Sequence, residues 1–343
     1  MNAERSHPLA AVILAAGQGT RMKSALIKVL HPLAGRQMIR HVLLAVEEIG
    51  ADRIVCVVGY QREQVEDALA SLPGIDFAVQ EDQLGTGHAL LCASESLTGF
   101  EGDVLVCYGD TPLLTRETLH EVVRVHRAHG TPATLLVAEL RDPTGYGRVV
   151  LDKDGSVLRI VEQRDADEPT RAIRLINTGV YCFAWKTVGP LLDRLSTDNA
   201  QGEWYLTDVM EMLAEIGAPA RAVLLEDPQE LMGVNDRAQL AEAEAVLRDR
   251  IRQRLMREGV TFLSPQTTLI DADVRIGPDT VIYPGVIIEG VSSVGRESVI
   301  GPFTRIADAH VGRGVELKGW NLIAHTTVPN GSIVPPYVRQ GTD

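Results

Sequence analysis

The sequence predicts an α/β domain, then one long helix, then a short coil of parallel β-strands. Short apolar runs alternate with amphipathic stretches between residues 9 and 128, which is typical of parallel sheet with helical crossovers. Residues 236–258 are rich in Ala, Glu, Leu and Arg and contain no Gly or Pro, as expected of one uninterrupted helix. From Ile270 to Ile306, aliphatic residues recur at every sixth position; Val311 then comes one residue early, and Leu317 and Ile323 resume the step.

Composition limits the classes of partner. With 343 residues the chain is long enough for two domains, each with its own core. The net charge of -13 argues against duplex nucleic acid or an anionic membrane as a partner. Aromatic residues make up only 4% of the chain, which leaves few platforms on which bases could stack.

Cysteine usage points to a reducing compartment. None of the cysteines forms a C-x-x-C pair, and all lie in predicted strands or in an apolar helix: Cys56, Cys92, Cys107 and Cys182. Apolar runs stay below the ~18 residues that a membrane helix needs. We therefore expect buried, reduced thiols in a cytoplasmic protein without membrane association.

A glycine-rich turn follows the first predicted strand, Leu9–Leu14, and runs through Gly17 and Gly19 to Met22. Glycines let backbone N–H groups approach an anion closely, and open α/β sheets bind ligands at the C-terminal ends of their strands. Between Arg5 and Val46 there is no Asp or Glu, and the cations are Arg5, Arg21, Lys23, Lys28, Arg36 and Arg40. The turn therefore predicts a site for a polyanionic ligand.

The remaining elements follow in order. Strands are predicted at 53–58, 75–80 and 103–108, with helices at 61–72 and 116–128, the second capped by Thr115. Beyond Gly130 the pattern changes to strands joined by turns, at 134–138, 147–151, 157–161, 173–176 and 179–183. Helices at 186–195 and 206–216 and a strand at 220–225 complete this part.

The six-residue period defines the last part of the chain. It runs without interruption through Ile270, Ile276, Ile282, Ile288, Val294, Ile300 and Ile306. An α-helix cannot keep such a stripe on one face, whereas a triangular β-coil can, because three hexapeptides make one turn and each aliphatic side chain points inward. The pattern resembles the hexapeptide left-handed parallel β-helix. About three turns are expected between Leu263 and Val338.

The opening string L-A-A-G-x-G-T-R-M, followed by Lys28, resembles the signature of the nucleotide-sugar pyrophosphorylases. It does not fit the dinucleotide fingerprint, because Met22 stands where a third glycine is needed, and it does not fit the P-loop pattern. The match extends from residue 10 to residue 260 through further segments in the family's order, namely Gln80–Ala89, Tyr108–Leu113, Asp142–Arg148, Ile160–Glu162, Asn177–Gly179, Asn199–Asp208 and Gly233–Asn235.

Within that family the chain resembles the N-acetylglucosamine-1-phosphate uridyltransferases, whose bifunctional members also acetylate glucosamine-1-phosphate. The resemblance implies a Rossmann-like, mixed-sheet nucleotidyltransferase domain at 9–235, a connector helix at 236–258 and a hexapeptide-repeat β-helix at 263–338. It also implies a reaction: a phosphate oxygen of N-acetylglucosamine-1-phosphate attacks the α-phosphorus of UTP in line, and pyrophosphate leaves. UDP-N-acetylglucosamine, a peptidoglycan and cell-wall precursor, forms without a covalent intermediate. Such chemistry needs alignment and charge neutralisation rather than a protein nucleophile.

The resemblance assigns roles residue by residue. Catalysis falls to Arg21, Lys28 and Asp110, and Mg²⁺ to Asp110 with Asn235, a pair of hard oxygen ligands. Asn235 is also a plausible helix N-cap. The nucleotide falls to Leu14, Ala15, Ala16, Gly17, Lys28, Gln80, Gly85 and Thr86. The sugar falls to Tyr108, Gly109, Gly147, Glu162 and Asn177. His88 and His325 are interpreted as a packing residue and a coil-surface residue.

The sequence departs from the family at two points. Ile27 precedes Lys28 where the family usually has proline, whose ring fixes φ and stiffens the loop. In bifunctional relatives the β-helix continues further and carries the acetyl-transfer residues, so we expect no acetyltransferase activity here. We expect a homotrimer assembled through the coil.

Two alternatives remain open. One is a uridylyltransferase or thymidylyltransferase for another sugar-1-phosphate. The other is a non-catalytic, oligomeric regulatory subunit. The presence of Arg21, Lys28, Asp110 and Asn235 argues against the second, because a regulatory subunit needs no set of phosphate and metal ligands.

Overall fold

The computed structural model describes residues 7–341, which divide into two compact units. One unit comprises the residues up to His31 and Met38–Gln239, and the other comprises Pro32–Gln37 and the residues from Leu240 onward. The sequence predicted an unbroken first domain at 9–235. In the structure a six-residue stretch of that range, Pro32–Gln37, groups with the second unit instead.

From Leu9 to Arg257 the chain forms strands and helices in a mostly alternating order. The strands are β1 (Leu9–Leu14), β2 (Pro32–Leu33), β3 (Arg36–Gln37), β4 (Arg53–Val58), β5 (Ile75–Val79), β6 (Asp103–Tyr108), β7 (Ala133–Glu139), β8 (Arg148–Leu151), β9 (Ser156–Val161), β10 (Leu175–Ala184) and β11 (Ala220–Leu224). The α-helices are α1 (Met38–Glu48), α2 (Arg62–Leu69), α3 (Thr86–Ala93), α4 (Arg116–His129), α5 (Glu168–Arg171), α6 (Trp185–Val188), α7 (Asp208–Glu215) and α8 (Arg237–Arg257). Short 3-10 turns lie at Thr20–Met22, Lys28–Leu30, Glu95–Leu97, Gly189–Arg194 and Pro228–Leu231.

One mixed sheet forms the centre of the first unit. Within the described residues it has nine strands in the order β5-β4-β1-β6-β10-β7-β11-β9-β8. The strands from β5 to β6 are parallel, whereas β10 runs antiparallel to both β6 and β7. The predicted mixed-sheet α/β fold is therefore confirmed.

The sheet carries a core on each face. Alternate residues of β1 enter two different apolar clusters: Ala10, Val12 and Leu14 join one, and Leu9, Ala11 and Ile13 join the other. This follows from the two-residue period of a strand, which sends successive side chains to opposite faces. All six residues are buried, which explains why this strand is an unbroken apolar run in the sequence.

Two helices are shorter than the sequence predicted, and proline explains both differences. The helix expected at 186–195 ends at Val188 and continues as the 3-10 turn Gly189–Arg194, because Pro190 has no N–H to donate and its ring clashes with the preceding turn. The helix expected at 61–72 ends at Leu69, a few residues before Pro73. The predicted cap on α4 is present, since Thr118 N donates to Thr115 Oγ1 at 3.3 Å.

The second unit contains a left-handed parallel β-helix, as predicted. Its strands are β12 (Thr261–Phe262), β13 (Leu269–Ile270), β14 (Arg275–Ile276), β15 (Val281–Ile282), β16 (Ile287–Glu289), β17 (Ser293–Val294), β18 (Val299–Ile300), β19 (Arg305–Ala307), β20 (His310–Val311), β21 (Glu316–Leu317), β22 (Leu322–Ala324), β23 (Thr327–Val328), β24 (Ile333–Val334) and β25 (Arg339–Gln340). A 3-10 turn lies at Pro265–Thr267. The aliphatic residues of the six-residue repeat are all buried in its interior.

The coil has more turns than the sequence analysis allowed. Among the described residues two of its faces carry five strands each and the third carries four, so the estimate of about three turns was wrong. Ile282 pairs with Ile300, and Ile300 pairs with Leu317, so one turn takes 18 or 17 residues, as three hexapeptides imply. At that rate the predicted span holds about four turns rather than three.

A hairpin formed by β2 and β3 belongs to this second unit, which the sequence analysis missed. Its turn residue Ala34 is 1% exposed within the apolar cluster of the coil. Ala34 N donates to Glu244 Oε2 at 2.7 Å, and Ala34 O accepts from Ala272 N at 2.9 Å. Arg36 forms an ion pair with Asp273 at 2.5 Å. Backbone hydrogen bonds and charge therefore both hold the hairpin.

The cysteines are free thiols, as predicted. Cys56, Cys107 and Cys182 are buried and Cys92 is partly buried. Burial raises the pKa of Cys56 and of Cys107 to about 12, so both are protonated at neutral pH. Across residues 7–341, none of the helices combines the length and the apolar character needed to cross a bilayer.

Candidate active site

A cleft of about 310 Å³ opens where β1 and β6 end in the first unit. All of the residues that the resemblance assigned to the nucleotide line it, together with Tyr108 and Asp110: Leu14, Ala15, Ala16, Gly17, Lys28, Gln80, Gly85, Thr86, Tyr108 and Asp110. Four further lining residues were not predicted, namely Val29, Gln83, Ala89 and Glu203. The cleft therefore lies at the edge where parallel strands of open sheets bind their ligands.

The glycine-rich turn is held as an extension of β1. Ala15 N donates to Val57 O at 2.9 Å, and Leu14 O accepts from Gly109 N at 3.0 Å. Gly19 has φ +62°, and a Cβ at this position would lie 2.6 Å from Lys28 Cβ. A side chain at residue 19 would therefore displace the lysine, so the glycine is needed for close approach as well as for its backbone angle.

Lys28 and Asp110, which line the cleft, meet Asn235. Lys28 Nζ donates to Asp110 Oδ2 and lies 3.1 Å from Asn235 Oδ1. Val234 N donates to Asp110 O at 2.9 Å, which joins the loop after β6 to the segment before α8. Three distant parts of the sequence are thus fixed around one positive charge.

This donor set suits a divalent cation. A carboxylate oxygen and an amide oxygen converge on a single cationic centre, here the lysine ammonium. Oxygen ligands of this kind are those that Mg²⁺ prefers, with phosphates and water completing its shell. The residues present therefore fit the metal that the family implies.

The alternative reading of Asn235 as the helix cap is wrong. Asp236 Oδ1 accepts hydrogen bonds from Ala238 N and Gln239 N, both at 2.9 Å, and so caps α8. Asn235 N donates to Gln239 Oε1 at 2.8 Å instead, while its own side-chain oxygen faces Lys28. The adjacent aspartate takes the capping role and leaves the asparagine oxygen directed at the lysine.

Gln80 also lines the cleft, and its orientation is set by two contacts. Its side chain is nearly buried, and Nε2 donates to Gly85 O at 3.0 Å. The same nitrogen lies 3.1 Å from His88 Nδ1. Because the amide nitrogen is engaged by protein acceptors, the side-chain oxygen is the group that Gln80 offers to a base.

A segment between Asn199 and Leu206 packs against the residues around Gln80. Trp204 N donates to Leu84 O at 2.7 Å, and Trp204 O accepts from Gly87 N at 2.8 Å. The ring of Trp204 also meets His88 edge to face, with centroids 5.2 Å apart. A Cβ on Gly85, whose φ is +113°, would lie 2.6 Å from Trp204 O. The sequence analysis recognised this segment but gave none of its residues a role.

The residues expected to hold the sugar lie together beside the cleft. Asn177 N donates to Gly147 O at 2.9 Å, and a Cβ on Gly147 would lie 3.2 Å from Glu162 Oε1. Glu162 lines a separate cavity of about 590 Å³. Tyr108 lines the cleft. Burial raises its phenolic pKa, and the charges of Glu162 and Asp110 raise it further.

The carboxylates around this second cavity are perturbed. Burial raises the pKa of Glu162, a hydrogen bond from Thr207 at 3.2 Å opposes the rise, and nearby Asp165 and Asp208 add to it. Burial also raises the pKa of Asp208 to about 6, with contributions from Glu211 and Asp165. Perturbed carboxylates in a cavity are typical of functional sites.

Two predicted site residues take other positions. Gly109 packs behind the cleft, where a Cβ would meet Ala15 and Val29 at 3.3 and 3.4 Å. Arg21 is exposed in the 3-10 turn Thr20–Met22 and is not among the residues that line the cleft in the described part of the chain.

Comparisons with known proteins show the family. The family model described as a MobA-like NTP transferase domain matches residues 11–258. A protein of Trichlorobacter lovleyi named "Bifunctional protein GlmU" is 46% identical over 335 residues, which is 97% of this chain and 73% of that protein. Proteins of the same name from Geobacillus thermodenitrificans and Enterococcus faecalis are 46% and 45% identical, over 92% and 96% of this chain and 68% and 71% of their own lengths. The predicted resemblance and enzyme class are confirmed.

Proposed function

The chain belongs to the GlmU family and is an enzyme of the uridyltransferase class, and we propose that it makes UDP-N-acetylglucosamine and pyrophosphate from UTP and N-acetylglucosamine-1-phosphate. The observation that carries the proposal is the arrangement of the cleft. One cleft is lined both by a base-reading amide, Gln80, and by a cationic and oxygen-rich pair, Lys28 with Asp110. A nucleoside triphosphate needs both kinds of group, one for its base and one for its phosphates.

Alignment and charge neutralisation account for the mechanism. Backbone N–H groups of the turn after β1, in particular that of Gly17, hold the phosphates. A Cβ at Gly17 would meet nothing within 4 Å, so the backbone at this position is open to the ligand. Lys28 neutralises charge that develops on the departing pyrophosphate, as Arg21 does in its predicted role. No protein nucleophile takes part, because the sugar phosphate itself attacks.

The metal fits the same centre. Asp110 and Asn235 would hold Mg²⁺, which when bound supplies charge neutralisation at the transferring phosphate. The two residues are kept in place by their own backbone partners, Val234 N on Asp110 O and Gln239 on Asn235 N. We propose Mg²⁺ rather than a softer metal because both donors are oxygen atoms.

The amino sugar is assigned to the group beside the cleft. Glu162 offers a carboxylate to sugar hydroxyls, Gly147 a backbone N–H, and Asn177 an amide for the acetamido group. Asn177 Nδ2 donates to Tyr181 Oη at 2.6 Å and its Oδ1 accepts from Gly179 N at 3.1 Å, which fixes its orientation. A preorganised polar group of this kind favours one substrate over analogues that leave it unpaired.

The alternative functions differ in what they require of the site. A uridylyltransferase or thymidylyltransferase for another sugar-1-phosphate would keep the phosphate and metal centre and change the contacts near Glu162. A non-catalytic regulatory subunit would need neither, and the convergence of Lys28, Asp110 and Asn235 argues against it. Cytoplasmic localisation and assembly as a homotrimer through the coil remain part of this proposal.

One assay separates the candidates. Pyrophosphate release is measured with purified protein and Mg²⁺ across a matrix of UTP, CTP and dTTP against N-acetylglucosamine-1-phosphate, glucosamine-1-phosphate and glucose-1-phosphate. The proposal expects the highest kcat/KM for UTP with N-acetylglucosamine-1-phosphate. A higher value for another pair would support the other-sugar alternative, and no release with any pair would support the regulatory one.

A further inference from the structure

The backbone just before Lys28 is held by one side chain from α2. Ile27 N donates to Gln64 Oε1 at 3.2 Å, and Gln64 Nε2 donates to Ala25 O at 3.3 Å. The second hydrogen of that nitrogen is directed to Gln61 Oε1, at 3.1 Å. A single amide therefore satisfies a backbone donor and a backbone acceptor on either side of Leu26, as a neighbouring strand would.

The segment that this amide holds has few other anchors. Residues 23–26 are all exposed, and Lys23 has a left-handed φ of 48°. Ile27 is the first buried residue after them, with its side chain 3% exposed in the core. Ile27 is therefore attached at three points: its side chain in the core, its carbonyl, which accepts from Leu30 N at 3.1 Å, and its N–H on Gln64. The hydrogen bond to Gln64 is the one that ties this backbone to α2.

The conformation of Ile27 is one that a proline would impose. Its φ is -61° and its ψ is 145°, and the proline ring fixes φ near ~-65°. Isoleucine has no ring to enforce this angle, and it has an N–H that needs a partner. Gln64 provides that partner, so a hydrogen bond takes the place of a covalent restraint.

We propose that Gln64 is a positioning residue for Lys28. It acts through the backbone of Ala25 and Ile27 and is absent from the described lining of the 310 Å³ cleft. Holding Ile27 sets the direction in which the Lys28 side chain leaves the backbone, and so its approach to Asp110 and Asn235. The inference rests on the proposed role of Lys28 in nucleotidyl transfer.

The position of Lys28 matters because the proposed catalysis has no covalent step to rely on. A charge that is misplaced by about an ångström in such a site costs on the order of 100-fold in rate. Gln64 itself is only partly buried at the surface of α2. Its loss should therefore loosen residues 24–28 while the core of the unit stays folded.

The test compares four variants with the wild-type chain: Gln64→Ala, Gln64→Glu, Lys28→Ala and, as a matched control on the exposed side of the same helix, Asp67→Ala. Backbone amide exchange of residues 24–28 is measured on the free protein, together with kcat, KM for UTP and Tm. For Gln64→Ala we expect exchange at Ile27 to be about tenfold faster and kcat to fall by about tenfold. KM for UTP should change by less than about twofold, because the substitution leaves the ground-state contacts of UTP in place. Asp67→Ala should match the wild type.

Gln64→Glu and one additional double variant keep the test decisive. Gln64→Glu retains an oxygen acceptor for Ile27 N but loses the donor to Ala25 O, so its exchange rate and kcat should lie between those of the wild type and Gln64→Ala. Adding Ile27→Pro to Gln64→Ala restores the restraint on φ and removes the N–H that lost its partner. The double variant should recover at least about half of the lost kcat, with Tm recorded to show that it is folded.

Each contrary result has a distinct meaning. Wild-type exchange at Ile27 in Gln64→Ala, or faster exchange with unchanged kcat while Lys28→Ala is inactive, would overturn the positioning role. A folded double variant that gains no activity would also overturn it. If Lys28→Ala keeps full turnover, the proposed function of Lys28 fails instead, and the exchange data still decide whether Gln64 holds the segment.

Discussion

Lys28 and Asp110 form an ion pair across the cleft although they are 82 positions apart in the chain. Their side chains are 12% and 22% exposed, so both charges are largely removed from water. Such a pair adds little net stability, because desolvation offsets the attraction between the charges. The pair lies at a cleft, beside the amide oxygen of Asn235. The proposed phosphate and metal chemistry explains that position better than a contribution to stability does.

Replacement of Asp110 tests the metal assignment. Asp110→Ala and Asp110→Asn should lower turnover by at least about 100-fold, because charge on the transferring phosphate would no longer be stabilised. Asp110→Asn keeps an oxygen for Lys28 and should lower Tm less than Asp110→Ala, which leaves the largely buried ammonium without its carboxylate. Pyrophosphate release with and without EDTA is the measurement, and full turnover in excess EDTA would contradict the assignment.

Base choice tests Gln80. Its amide nitrogen is held by Gly85 O and by His88 Nδ1, so its oxygen can accept from the N3–H of uracil but meets an acceptor in cytosine. UTP should therefore exceed CTP in kcat/KM by about 100-fold or more, because the wrong base leaves buried polar groups unpaired. Equal rates would remove Gln80 from this role. His88→Leu should reduce the ratio by freeing the amide to rotate, whereas a ratio unchanged in that variant would show that Gly85 alone orients it.

Glu162 should give the reaction a pH dependence that appears in KM for the sugar phosphate. Burial raises its pKa above the ordinary value of 4.5, so the carboxyl protonates at a higher pH than a surface glutamate does. A protonated carboxyl loses its charge-assisted bonds to hydroxyls, and KM should therefore rise as the pH falls through the raised pKa. Glu162→Gln should raise KM by about tenfold and abolish this dependence. A pH profile that is identical in the variant would contradict the assignment.

The coil should assemble the protein. Three flat sheets of short strands form its faces, and we expect the full chain to be a homotrimer at micromolar concentration, measured by light scattering. A monomer would contradict this expectation.

A chain that ends at Glu258 should be monomeric and should keep uridyltransferase activity. The structure adds a consequence for stability, because this truncation removes Ala272 and Asp273, which bind Ala34 and Arg36 of the hairpin. The truncated chain should therefore melt at a lower temperature than the full chain.

Acetyl transfer should be absent. Acetyl transfer needs side chains that bind phosphate and remove a proton. The coil offers side chains of these types within one turn, at Arg313, Lys318 and His325. Lys318 is already engaged in an ion pair with Glu316. His325 is exposed at a corner with φ 47°. Acetyl-CoA with glucosamine-1-phosphate should release no free thiol above background. Release that His325→Ala abolishes would instead make the coil a second active site.

The sequence by itself determined the local architecture. The two-residue alternation of β1 and the six-residue repeat of the coil each specify which side chains face inward, because strand geometry fixes those directions without long-range information. The glycine-rich turn, too, could be predicted as a ligand loop, since Gly17 and Gly19 allow backbone conformations and close approaches that other residues resist.

Only the tertiary structure decided which groups meet. Asn235 faces Lys28 because Asp236 takes the helix cap, and Gln80 presents its oxygen because Gly85 and His88 bind its nitrogen. Ile27 keeps its angle because an amide from α2 reaches it. In each case a polar side chain had several possible partners, and the choice among them depends on which distant segments the packed sheet brings within hydrogen-bonding distance. Local spacing carries no information about that competition.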